Sequence, residues 1–176
     1  MPSKQNNKQS IDNIIRELEK NGTTKVKLAV TDIDGILRGK MISFDKFKSI
    51  AEKGFGFCDV VFGWDSGDIA YDNAAYTGWH TGSPDATAII DMSTARKIPW
   101  ENDIPFFLAD FDTGGNNGNA HAICPRNLLK RMAEQAKEAG FLPFFSQEFE
   151  WFNFIRDEEP GEHKQKKFEP LSSGMF

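Results

Sequence analysis

The sequence has little of what usually announces a chemistry. Its two cysteines, Cys58 and Cys124, exclude a disulfide framework, and they lack the paired C-x-x-C spacing of a zinc site. Its three histidines, His80, His121 and His163, lie in unrelated contexts and read as surface or hydrogen-bonded residues rather than ligands. No apolar run approaches the ~20 residues needed to cross a bilayer. The opening Met1-Pro2-Ser3-Lys4-Gln5-Asn6-Asn7 has no apolar stretch of a signal peptide. The expectation is therefore a cytoplasmic, reduced protein with no membrane partner. Positive charge is also short: 21 Lys and Arg against 26 Asp and Glu give a net charge of −5, so bulk charge offers nothing to nucleic acid. There is no Ser-His-Asp or Cys-His arrangement. Gly114 to Gly118 does not directly open a helix, which disfavours a phosphate cradle. The basic run Lys164-Gln165-Lys166-Lys167 reads as solvated.

What is present is a globular composition, with 39% hydrophobic and 27% charged residues, which excludes general disorder. Sixteen Phe and four Trp predict an aromatic core or interface. Residues 1–9 read as a disordered tail. Ser10 is a good N-cap for a helix with Ile11, Ile14, Ile15 and Leu18 on one face, stopped by Asn21-Gly22. Lys25 to Asp32 reads as a strand, Asp34-Gly35 as a hairpin turn, and Ile36 to Ile42 as the return strand. Ser43 caps a short helix with Phe44, Phe47, Ile50 and Ala51 inward, ended by Gly54. Residues 55–85 show no clear period and are rich in Gly, Asp and aromatics. Two strands follow, Ala86 to Asp91 and Ile104 to Phe111, with Ile98-Pro99-Trp100 extended or turning between them. Pro125 opens a helix whose buried face is Leu128, Leu129, Met132 and Ala136, and Gly140 ends it. The last strand is expected over Phe144 to Phe154, before a charged tail from Arg156. This order suits a small α+β roll followed by the opening of a second unit. A lone helix–strand pair cannot bury both its faces, so the chain reads as truncated.

Three groups of residues are candidates for chemistry. Asp32-Ile33-Asp34-Gly35 after a strand resembles the opening of haloacid-dehalogenase-type phosphatases, with Gly67-Asp68 and Asp72 imitating their later metal motif. That fold needs several βα units between the motifs, at ~30 residues each, and the interval leaves no room. The alternative is a hairpin turn with a solvated Asp32. Glu148-Phe149-Glu150 on a strand would place two carboxylates on one face, their Cβ atoms ~7 Å apart. They would either grip Mg²⁺ or Mn²⁺ or simply face solvent. Phe145, Phe149 and Trp151 would form the buried side, with Phe152 and Phe154 sharing the carboxylate face. The segment Asp59 to His80 carries Trp64, Asp65, Asp68, Tyr71, Asp72, Tyr76 and Trp79. It would line a pocket, form a subunit contact, or pack as a surface loop. A metal site of Asp65, Asp68 and Asp72 would lack the glycine and terminal Glu of an EF-hand loop.

One pattern gathers these segments: Asp32-x-Asp34-Gly35-x-x-Arg38-Gly39-Lys40, Gly54-Phe55-Gly56-Phe57, Ile98-Pro99-Trp100, Cys124-Pro125-Arg126-Asn127-Leu128-Leu129-Lys130-Arg131 and Glu148-Phe149-Glu150-Trp151-Phe152. In order and interval it resembles the glutamine synthetase family from Lys25 to Phe154. The Trp-rich middle and the form Glu-Phe-Glu-Trp-Phe look closest to members that ligate amines other than ammonia, such as γ-glutamylputrescine synthetase-like proteins. The resemblance implies an α+β fold: a tail and helix over 1–22, a β-grasp-like N-terminal domain over 23–119, and an incomplete catalytic α/β domain over 120–176. It implies an ATP-dependent ligase that joins the γ-carboxylate of glutamate to ammonia or an amine through γ-glutamyl phosphate. Glu148 and Glu150 would bind the divalent metals, Mg²⁺ or Mn²⁺, that neutralise the transferring phosphoryl group. It also implies a homo-oligomeric ring in which the N-terminal domain of one subunit completes the next subunit's site, with Phe62 to Trp79 as the candidate contact.

The sequence departs from the family in one place. Many members carry Phe-Asp-Gly-Ser-Ser, whose Asp helps bind ammonium, where this chain has Phe57-Cys58-Asp59-Val60-Val61. Asp59 or Asp65 would then substitute. The family's remaining metal ligands, glutamate site and phosphate-binding arginines would lie beyond Phe176, so the chain is expected to be inactive alone. The reading from another class is a non-catalytic β-grasp interaction module.

Overall fold

The computed structural model describes residues 4–112, 120–151, 153–155 and 169–170. They fall into two compact units, residues 1–142 and 143–176.

The first unit is built on a five-stranded sheet. Helix α1 (Lys4–Lys20) precedes β1 (Lys25–Thr31) and β2 (Leu37–Ser43). Helix α2 (Phe44–Ile50) and β3 (Phe55–Cys58) follow, then β4 (Asp85–Ile98), β5 (Ile104–Phe111), the single turn α3 (Ala120–Ile123) and helix α4 (Pro125–Glu138). The strand order is β2-β1-β5-β4-β3. Only β1 and β5 run parallel; the other neighbours are antiparallel. This mixed sheet with helices is the α+β architecture expected, consistent with a β-grasp domain.

Strand periodicity sets the core. Val26, Leu28 and Val30 of β1 share one face with Phe107, Ala109 and Phe111 of β5 and with Ala86, Ala88 and Ile90 of β4, and all are buried. Along that face the core has two parts. At one end α1 and α2 cover it with Ile11, Phe44, Phe47 and Ile50, and the Phe47 and Phe107 rings lie 5.0 Å apart. At the other end Phe57, Val61 and Phe62 pack on Phe111. The irregular segment is thus partly core. Its first residues form β3, whose alternation is hidden in sequence because two of its four positions are Gly56 and Cys58.

Several local signals act as expected. Gly22 takes φ +68°, and the amides of Gly22 and Thr23 satisfy the carbonyls of Glu19 and Leu18 at the end of α1. The Ser43 side chain accepts from the Lys46 amide at 3.2 Å, capping α2. Gly54 takes φ +78°, where a Cβ would meet the Ala88 carbonyl oxygen at 2.4 Å, so only glycine can lead from α2 into β3 there.

Four expectations are corrected. Helix α1 starts at Lys4, not after a tail ending at residue 9, and Ser10 is interior. Lys and Gln are good helix formers, and the Gln9 side chain donates to Asn13 one turn on. Strand β4 continues to Ile98 past a bulge between Asp91 and Arg96. Thr94 Oγ1 accepts the Leu108 amide at 2.9 Å, repairing the interrupted ladder. Helix α4 buries the other face from the one predicted: Leu128, Leu129 and Met132 are exposed, and Asn127 is the buried residue.

The fourth correction concerns the second unit. Residues 144–151 form no strand, although Phe144 to Phe154 was expected to be one. A strand needs a neighbour to take its amides and a surface to cover its apolar side. Phe144, Phe145, Phe149 and Trp151 are instead exposed. The strand pairing found in this unit is β6 (Phe154–Ile155) with β7 (Glu169–Pro170). The expected glycine loop at Gly114 to Gly118, the basic run Lys164 to Lys167, His163 and Phe152 lie outside the described residues, as does the side chain of His121.

Candidate functional site

The Asp32-x-Asp34-Gly35-x-x-Arg38 motif closes the β1–β2 hairpin. Gly35 takes φ +82°, and the strands pair antiparallel from Thr31↔Leu37. That pairing excludes the phosphatase reading, which needs Asp32 at the tip of a strand flanked by parallel neighbours. Asp32 is not solvated, as the turn reading held; it is 0% exposed. One carboxylate oxygen accepts the amides of Asp34 (3.0 Å) and Ile36 (2.8 Å), and the other accepts Arg38 Nε at 2.8 Å. A buried carboxylate requires such bonds.

Arg38 carries the order of the turn outward. Its guanidinium also pairs with Asp68, donates to the Asp65 carbonyl at 3.2 Å and lies 5.1 Å from the Trp64 ring centre. The Asp65 carboxylate accepts the amides of Gly67 (2.8 Å) and Ile69 (3.0 Å), holding its own turn. Asp65 and Asp68 are thus committed to loop structure. Among the described residues no group of three or more His, Cys, Asp and Glu is placed to hold a metal.

Asp59 differs. It sits in the 3₁₀ turn Asp59–Phe62 directly after β3 and is 2% exposed. Its carboxylate accepts the hydroxyl of Thr77, itself fully buried. Its backbone amide donates to the Pro84 carbonyl at 3.0 Å. Burial pushes the Asp59 carboxyl above its ordinary value; the Thr77 bond opposes this and the charge of Asp85 adds to it. Tyr76 is raised too, by burial and then by Asp59. Cys58 is half-buried, with its thiol 3.2 Å from the Ser83 carbonyl oxygen. Beyond this pair the loop turns outward: Trp79 is 94% exposed. His80 Nε2 lies 3.4 Å from the Ala75 carbonyl oxygen, in keeping with a hydrogen-bonded surface residue.

Sequence reasoning missed a second acid pair. Asp91 on β4 and Asp110 on β5 project from the sheet face opposite the core. Arg126 donates to both, at 2.7 and 2.6 Å, and Lys130 bonds both from the next turn of α4. Asn127 Nδ2 donates to the Phe111 carbonyl at 2.9 Å. Burial alone would raise the Asp91 carboxyl, but bonds from Ser93, Arg126 and Lys130 outweigh it and hold it well below the usual range. These contacts explain why α4 docks its polar face. The partners lie 16 to 39 positions apart in the chain, beyond the reach of any local pattern.

Glu148 and Glu150 lie in the second unit, both exposed, and neither makes a side-chain bond among the described residues. As hard oxygen donors they suit a divalent cation in kind; two carboxylates do not complete its shell.

No family model matches the chain. Among curated proteins, type-1 glutamine synthetase 2 of Dictyostelium discoideum is 48% identical over 166 residues, covering 94% of this chain and 32% of that protein. Glutamate–isopropylamine ligase of a Pseudomonas species is 33% identical over 147 residues, covering 83% of this chain and 32% of that protein. Among solved structures, glutamine synthetase of Plasmodium falciparum superposes with a TM-score of 0.52 at 20% identity, covering 74% of this chain and 23% of that one, which speaks for the fold. The chain spans about a third of the length of the curated relatives it matches.

Proposed function

The chain belongs to the glutamine synthetase family, and from that premise we propose that it is part of an ATP-dependent ligase joining the γ-carboxylate of glutamate to ammonia or an amine. The observation that carries this is the 48% identity over 94% of the chain to a glutamine synthetase. The reaction would run through γ-glutamyl phosphate in the cytoplasm, in a ring of identical subunits. Residues 23–119 would form the N-terminal domain and residues from 120 onward the start of the catalytic domain. The exposed apolar face of α4 supports that reading, because Leu128, Leu129 and Met132 suit burial in a larger domain.

Each candidate residue has one role in this proposal. Glu148 and Glu150 would hold Mg²⁺ or Mn²⁺ as oxygen ligands. The ion, when bound, neutralises charge on the phosphoryl group in transfer. Asp59 would serve the amine, since a buried carboxyl with a raised pKa beside an exposed loop is a common mark of a functional group. Asp65 fits that role less well, because one of its carboxylate oxygens already holds a turn. An amine substrate larger than ammonia is supported by the departure at Cys58-Asp59 and by the match to an isopropylamine ligase.

The test is ADP release from ATP and glutamate in Mn²⁺ or Mg²⁺, against a panel of amines, with protein expressed from the full reading frame containing this chain. Amine-stimulated turnover is expected. Turnover stimulated by no amine in a soluble, assembled protein would overturn the ligase reading and leave the non-catalytic β-grasp module.

A further inference from the structure

The two edge strands of the sheet, β2 and β3, approach each other without pairing. Lys40 spans the gap: its ammonium donates to the Gly56 carbonyl at 3.0 Å and lies 4.6 Å from the Phe57 ring centre. Behind Lys40, between these edges and α2, is a cavity of about 390 Å³, the scale of a small-molecule site. Its floor is apolar, formed by Leu28, Ile42, Ile50 and Phe55. Its rim is cationic: Lys40, Lys46 and Lys53 line it, against one acid, Asp85.

This concentration of charge is unexpected in a chain of net charge −5. Lys40 has a structural role, but no ion pair of the described residues includes Lys46 or Lys53. Three lysine side chains line one hollow, so a single anion seated there would come within reach of all three. An occupant with negative groups at the rim and a compact carbon body over the floor would match both. The geometry points to a binding site for a small organic polyanion, carrying phosphate or carboxylate groups, held by Lys40, Lys46 and Lys53. The site involves none of the residues assigned to the ligase reaction.

The test titrates ¹⁵N-labelled 176-residue chain with sodium pyrophosphate and, separately, with sodium citrate at low ionic strength. It needs no ATP, glutamate or amine, so its failure is distinct from failure of the ligase reading. Saturable amide shifts are expected at Gly54, Phe55, Gly56 and Lys46, and added KCl should reverse them. Citrate binding, with or without pyrophosphate, would support the site; pyrophosphate alone would show a cationic rim that makes no use of the apolar floor and would overturn it. Lys46→Gln with Lys53→Gln should weaken binding by about tenfold or more, and Lys46→Arg with Lys53→Arg should retain it. Both lysines are exposed, so the variants should keep the parent spectrum elsewhere. No saturable shift with either anion up to on the order of 10 mM would overturn the proposal. Unchanged affinity in the double Gln variant would overturn it as well.

Discussion

Two pairs of acids stand in contrast. Asp91 and Asp110 lie diagonally on adjacent strands, on one face of the sheet, and their carboxylates are bonded by Arg126 and Lys130. Glu148 and Glu150 sit two apart in an exposed segment and bond to nothing among the described residues. Carboxylates with matched cations are committed to the fold; removing one cation leaves them desolvated with fewer bonds than their burial requires. Carboxylates without partners contribute little to stability and are free to take a ligand. The first pair should therefore be read in stability and the second in metal response, with little crossover.

The largest expected effect follows from breaking the first pair. Arg126→Ala should cost about 3 kcal/mol, measured as a lowered urea midpoint, because Asp91 and Asp110 are both mostly buried. Next, if the proposed metal role holds, Glu148→Ala and Glu150→Ala in protein expressed from the full reading frame should each weaken Mn²⁺ activation by about 100-fold, judged against losses seen on removing even indirect supports of a metal. Their urea midpoints should move by less than about 0.5 kcal/mol. A large stability loss with unchanged metal response would reverse the comparison.

Thr77→Val should cost about 1–2 kcal/mol, because it removes a bond inside a buried site and leaves Asp59 short of a donor. The smallest effects are in pH dependence, and their signs differ. The Asp91 carboxyl is held below its ordinary 3.8, so its contribution is present above that pH and is lost on acidification below it. Asp91→Asn should flatten the acid limb of stability against pH. Asp59 is raised above 3.8, so it opposes folding increasingly as pH rises from there towards its folded value. Asp59→Asn keeps an acceptor for Thr77 and should raise the midpoint at pH 7 relative to pH 4. If Asp59 serves the amine, the same change should lower kcat/KM for the amine.

Much of the first unit was legible because its signals are local. Asp34-Gly35 marked the hairpin, Ser43 the start of α2, and Pro125 and Gly140 the ends of α4, each through the backbone geometry the residue favours. The family was legible in the ordered motifs from Asp32 to Phe152. Strand β3 was hidden by its glycine, and the burial of Asp32 by a bonding pattern that exists only once the turn has closed. The apolar stripe of α4 was read correctly as a stripe and wrongly as its docking face. Periodicity says that a helix has two faces and does not say which one the sheet receives.

By itself the sequence determined element types, turn positions and kinship, since these depend on residues close in the chain or on their order along it. Tertiary structure alone decided which acids are neutralised, where α4 turns its polar side, that Asp59 is enclosed with Thr77, and that three lysines meet around one hollow. Those outcomes depend on pairs far apart in the chain. The desolvation of a charge is set by everything that surrounds it after folding.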